Sequence, residues 1–116
     1  MATHSGIAPL VEKYFRSWQD RDLVAMRACL ADEILFDWGT VVYTDPDAFV
    51  AASESGIEWR DVTMRAAVYS HDAAAIVYEA VNVTDGLRVR TAEFLRCGGG
   101  RIREAIVVFT VIGRDV

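Results

Sequence analysis

Long apolar runs, basic character and structural cysteines are all scarce in this 116-residue sequence, and each scarcity removes a class of protein. No uninterrupted apolar stretch approaches the roughly 18 residues that a membrane-spanning helix needs. Lys and Arg number 12 against 17 Asp and Glu, and Lys13 is the one lysine; a net charge of −5 repels a phosphate backbone, so no nucleic-acid partner is expected. Cys29 and Cys97 match neither a disulfide framework nor a zinc-ligand spacing and are read as reduced thiols. His4 belongs to a terminal segment and His71 to a Ser70-His71-Asp72 turn, so neither marks a metal site, and no cofactor is expected. The opening Met1-Ala2-Thr3-His4-Ser5-Gly6 has no basic segment followed by an apolar one, which points to a cytoplasmic protein without membrane association.

What the sequence does have is a globular balance, 53% hydrophobic and 25% charged, over a length that suits one domain spanning residues 1–116. From Pro9 to Trp18, Leu10, Val11, Tyr14, Phe15 and Trp18 recur at three- and four-residue steps, the period of a helix with one buried face. Asp22 can cap a second helix carrying Leu23, Met26, Cys29 and Leu30. A short strand follows at Ile34–Trp38, extended after a bend by Val41–Tyr43. A third helix is expected from Pro46, capped by Thr44 or Asp45, with Phe49 and Val50 on its apolar side and Gly56 as a left-handed stop. After Gly56 the pattern reads as four strands, about 57–70, 74–84, 87–97 and 101–112. Helices first and strands afterwards imply an α+β fold in which three N-terminal helices pack on a curved antiparallel sheet.

The turns decide which residues share a face. Asp85-Gly86 reads as a two-residue type I′ hairpin turn, pairing Asn82 with Val89, Ala80 with Thr91 and Tyr78 with Glu93. The glycines at 98, 99 and 100 read as a three-residue loop that sets Glu93 opposite Ala105. One face then carries Ile76, Tyr78, Ala80, Asn82, Val89, Thr91, Glu93, Leu95, Ala105, Val107, Phe109 and Val111, an apolar lining with one carboxyl. The other face, with Val77, Glu79, Val81, Arg90, Phe94, Ile106 and Val108, is too apolar for water, so a homodimer through the outer sheet face is expected, with Glu79 neutralised by Arg90 and Arg65.

The run Tyr14-Phe15-Arg16-Ser17-Trp18, the segment from Leu30 to Gly39, and the late segments 92–96 and 100–104 resemble the nuclear transport factor 2-like superfamily along nearly the whole chain. The resemblance implies a cone-shaped roll whose hollow receives a small molecule. In its ketosteroid isomerase branch, Tyr14 falls where an oxyanion-binding tyrosine belongs and Glu93 where a protonated aspartic acid donates a second hydrogen bond. Trp38 stands where that branch keeps its general-base aspartate, and Phe109 replaces a tryptophan. No Asp-Arg-Asp set converges as an epoxide hydrolase of the limonene type would require, and no pocket histidine or aspartate marks a SnoaL-type cyclase.

Read from chemistry alone, Glu93 on an apolar concave face loses solvation and becomes a neutral acid able to hydrogen-bond Tyr14 or Tyr78; the alternative is a carboxyl paired with Arg103. Tyr14 is either a core phenol or a donor to a ligand oxygen. Asp37 alternates away from Phe36 and Trp38, and a bulge at Trp38-Gly39 would be needed to turn it inward as a base. Trp18, Trp38, Tyr78, Asn82, Thr91 and Phe109 complete the expected ligand-binding set. The expected partner is a small apolar molecule. Two functions stay open: an isomerase or cyclase that stabilises an enolate or oxyanion through Tyr14 and protonated Glu93 with Asp37 or a substrate group moving the proton, and a non-catalytic binding or assembly domain.

Overall fold

The computed structural model describes residues 6–114, so His4 lies outside the described residues. Three helices precede most of a six-stranded sheet: α1 (Ala8–Asp20), α2 (Leu23–Ala28), β1 (Leu30–Asp37), β2 (Val42–Tyr43), α3 (Pro46–Glu54), β3 (Trp59–Tyr69), β4 (Ala73–Asn82), β5 (Leu87–Gly98) and β6 (Arg101–Arg114). The order across the sheet is β2-β1-β6-β5-β4-β3.

Local chemistry accounts for the helices. Val11, Tyr14 and Ser17, three residues apart, form the buried face of α1, and Pro9 sits in the first turn, where its missing N–H costs nothing. Asp22 caps α2 by accepting from the Ala25 N–H at 3.0 Å. Asp45 caps α3 by accepting from the Asp47 N–H at 3.0 Å, with Pro46 as its first residue. Gly56 is not a left-handed stop: α3 closes at Ser55 with φ −95°, and a Cβ on Gly56 would meet the Ala52 carbonyl at 3.0 Å. The second helix is shorter than the apolar spacing suggests, because Leu30 leaves it to begin β1.

The expected meander of β3 to β6 is present and antiparallel, but the sheet as a whole is mixed, since β1 runs parallel to β6. Both hairpin registers differ from the expected ones by two residues. Tyr78 faces Thr91 rather than Glu93, and Ile76 faces Glu93. The cause lies in the first turn, which takes four residues: the Gly86 N–H donates to the Asn82 carbonyl at 2.8 Å, and the side chains of Asn82 and Asp85 accept from the Thr84 and Leu87 N–H groups. In the second turn only Gly99 and Gly100 lie between the strands, both with positive φ, and a bulge between Arg96 and Cys97 sets Glu93 opposite Val107 and Leu95 opposite Ala105. Side chains alternate with period two, so a slip of two residues leaves each on its face.

Most of the inner face is buried as expected: Ile76, Tyr78, Ala80, Val89, Thr91, Glu93, Leu95, Ala105 and Val107 are all shielded, whereas Phe109 and Val111, expected on the same face, are exposed where β6 runs past the helices. Ile76, Tyr78, Leu95, Ala105 and Val107 share one buried cluster with Val11, Tyr14 and Met26 from the helices and Phe36 and Leu30 from β1. On the outer face Val68, Ile106 and Val108 are exposed, and Glu79 is held by Arg90 at 2.8 Å and Arg65 at 3.8 Å, as the alternation implies.

Leu95→Ala, at a position without exposure, should lower stability by about 2 to 5 kcal/mol in chemical denaturation. Val24→Ala, on the solvent side of α2, should stay within about 0.5 kcal/mol of the parent. Equal losses at the two positions would contradict this layering.

Candidate functional site

A cavity of about 360 Å³ opens between the helices and one end of the inner sheet face. Tyr14 and Trp18 reach it from α1, Leu23 and Met26 from α2, and Phe49, Ala52 and Ser53 from α3. Trp38, Thr40, Val41 and Tyr43 close one side from the β1–β2 bend, and Trp59, Tyr78, Ala80, Glu93 and Phe109 form the sheet wall. Among the described residues, Arg21 at the mouth is the one charged side chain in the lining besides Glu93.

Tyr78 is clamped between two aromatic residues of α1, with ring centroids 5.0 Å from Phe15 and 5.4 Å from Trp18. Its hydroxyl donates to Glu93 Oε2. The two residues are diagonal neighbours on one face, a separation that long side chains bridge. The other carboxyl oxygen, Oε1, is buried without a hydrogen-bond partner, and no cation pairs with Glu93 among the described residues. Burial therefore dominates and pushes the Glu93 carboxyl from the usual range up to about 7, while the bond from Tyr78, which favours the charged form, opposes it. Neutral and ionised forms are then both accessible near neutral pH.

Burial, with the charge of Glu93 as the next cause, also raises Tyr14 and Tyr78 well above the usual phenol value. Both phenols stay protonated as donors. Tyr78 uses its proton on Glu93, whereas the Tyr14 hydroxyl makes no hydrogen bond among the described residues. Tyr14 and neutral Glu93 thus supply two donors beside an apolar hollow, an arrangement able to bind a carbonyl or enolate oxygen.

Several expected site residues fall elsewhere. Asp37 is not brought to the cavity: it ends β1 opposite Ile106 of the outer face, and its side chain accepts from the Gly39 N–H at 2.8 Å. No bulge turns it inward, so Trp38 alone represents that segment in the lining. Asn82 caps the β4–β5 turn, accepting from the Thr84 N–H, and is not among the residues that line the cavity. Thr91 is buried against Tyr78 behind the cavity wall and does not line it. Trp18, Trp38, Tyr78 and Phe109 do line it, with Phe109 60% exposed at the rim. Sequence reasoning missed Arg21, Thr40 and Tyr43. Thr40 and Tyr43 enter through a bend whose direction no periodicity reveals, and Arg21 enters through a left-handed residue with φ 54° that ends α1.

Buried Trp38 Nε1 also lacks a hydrogen-bond partner among the described residues. Among the described residues no group of three or more His, Cys, Asp or Glu could hold a metal, and no helix is long and apolar enough to cross a membrane.

No protein-family model and no curated protein matches the chain. Solved structures do. An NTF-2 like protein of unknown function from Burkholderia xenovorans superposes with a TM-score of 0.83 at 11% identity, covering 100% of this chain and 91% of its own. An LEH-like epoxide hydrolase of M. tuberculosis gives 0.80 at 15% identity, covering 92% and 84%. A steroid delta-isomerase from Pseudomonas aeruginosa gives 0.75 at 13% identity, covering 95% and 83%. The chain has the nuclear transport factor 2-like fold that its sequence resembles, an α+β cone-like roll.

The carboxyl supplies a pH test. An acid raised to about 7 in the folded chain costs nothing below the unfolded value, where both states hold the proton, and destabilises increasingly as pH climbs through 7. Relative to Glu93→Gln, the parent should lose up to about 3 kcal/mol between pH ~4 and ~8. Parallel stability profiles for the two proteins would refute a buried, ionisable Glu93.

Proposed function

We propose that the protein binds a small apolar carbonyl compound in the cavity and stabilises negative charge on its oxygen through Tyr14 and protonated Glu93. One observation carries the reading: a buried carboxyl, fixed by Tyr78, beside a phenol, with no cation on the first and no hydrogen bond from the second among the described residues. The Oε1 atom of Glu93 is buried without a partner, and a polar group left unmet away from water costs free energy that a ligand oxygen removes by accepting from the neutral acid. The steroid delta-isomerase and the epoxide hydrolase that share the fold act on small molecules by their names, which supports a ligand in this hollow.

The placement of Asp37 limits the chemistry. With Trp38 rather than a carboxylate lining that side, the described residues of the cavity offer oxyanion stabilisation and no second carboxylate as base. Reactions that fit are isomerisations or cyclisations in which a group of the substrate moves the proton. The second reading, a non-catalytic ligand-binding or assembly domain, draws on the same outward Asp37.

The exposed Val68, Ile106 and Val108 support a homodimer through the outer sheet face as part of the proposal. The buried free thiols of Cys29 and Cys97 fit a reducing compartment, and the reading includes a cytoplasmic location.

Binding of cyclic enones, followed by tryptophan fluorescence from Trp18 and Trp38, should weaken about tenfold in Tyr14→Phe and in Glu93→Gln. Unchanged affinity in both variants would end the reading. Turnover of such an enone that vanishes in Tyr14→Phe would reject the non-catalytic alternative. In sedimentation, Val108→Glu should convert a dimer to a folded monomer; a parent chain that is monomeric at every concentration would remove the dimer.

A further inference from the structure

The cavity's polar groups lean toward donors. Among the described lining residues Arg21, Tyr14 and neutral Glu93 donate, while the hydroxyls of Thr40 and Ser53 can also accept, the latter already donating to the Phe49 carbonyl. Carbon and aromatic groups fill most of the rest. A ligand that complements this surface brings acceptors at both ends and an apolar body between them.

Arg21 is the asymmetric element. It sits where α1 ends, in a left-handed conformation that favours glycine and is adopted here by a long cationic side chain. Its guanidinium donates to the Glu54 carbonyl at the end of α3, which fixes it across the mouth between two helices that line the cavity. A carbonyl satisfies one donor and leaves the charge uncompensated. No carboxylate pairs with Arg21 among the described residues, although the chain is rich in them. A cation held at the entrance of an apolar cavity, in a chain of net charge −5, is a local attractor for an anion.

We propose that the ligand is an apolar oxo acid, its carboxylate on Arg21 at the mouth and its carbonyl oxygen between Tyr14 and Glu93 inside. This rests on the carbonyl-binding role of Tyr14 and Glu93 and adds the second anchor. A planar guanidinium with donors to spare matches a carboxylate. A phosphate dianion would call for a second cation, and the described residues of the lining include none.

The probes are 4-oxocyclohexanecarboxylate and its methyl ester, titrated calorimetrically at about pH 6, where the free acid is ionised and Glu93 is mostly protonated. The parent should bind the acid about tenfold more tightly than the ester. Arg21→Gly, which the left-handed backbone accommodates, and Arg21→Gln should both lose that preference and keep the ester affinity, with folding checked by circular dichroism. Glu93→Gln should weaken both probes alike. Equal binding of acid and ester by the parent, with affinity still dependent on Glu93, would overturn the Arg21 anchor and leave the carbonyl reading standing. An acid preference that depends on Arg21 but is indifferent to Glu93→Gln would keep the anion site and remove the carbonyl end. Binding of neither probe would overturn both.

Discussion

The burial of one carboxyl organises this molecule's chemistry. Glu93 stands on the concave face of a sheet whose neighbours are Ile76, Leu95, Ala105 and Val107, and taking an ionised carboxylate into such surroundings is costly unless it is paired. Among the described residues the fold supplies Glu93 with a phenol and no cation. The result is an acid that holds its proton close to neutrality, fixed in orientation by Tyr78, which is itself packed between Phe15 and Trp18. Helix α1 therefore does two things at once: it clamps the residue that orients the acid, and it presents Tyr14 as the second donor.

The same sheet treats its other buried acid in the opposite way. Glu79 lies on the outer face, one strand from Glu93, and is met by the guanidinium of Arg90 and, at longer range, Arg65. Two glutamates on adjacent strands thus become a structural ion pair and a candidate chemical group, according to which face they occupy and whether an arginine shares it. On the inner face Glu93 meets the hydroxyl of Tyr78 and, among the described residues, no arginine.

Periodicity was enough to read much of this from residues alone. The spacing of Val11, Tyr14 and Trp18 gave α1, Asp45-Pro46 gave the start of α3, and alternation gave the faces of β4, β5 and β6, including an inward Glu93 and an outward Glu79. Two errors of register did no harm because each was two residues long and the side-chain period is also two. Where pattern failed, backbone geometry was the cause. The Asn82 side chain bends the chain into a longer turn, which removes it from the cavity, and Leu30 belongs to a strand because β6 offers it a parallel partner far along the sequence.

The sequence by itself determined the order of helices and strands, the face on which each side chain lies, and the presence of one acid and one phenol among apolar neighbours, because those follow from local periods and caps. Only the tertiary structure decided that Tyr78 rather than Tyr14 holds Glu93, that Asp37 stays outside while Trp38 enters, and that Arg21 stands at the mouth. Those outcomes depend on strand register, on a left-handed residue and on how far α1 lies from the sheet, quantities set by packing between segments distant in the chain.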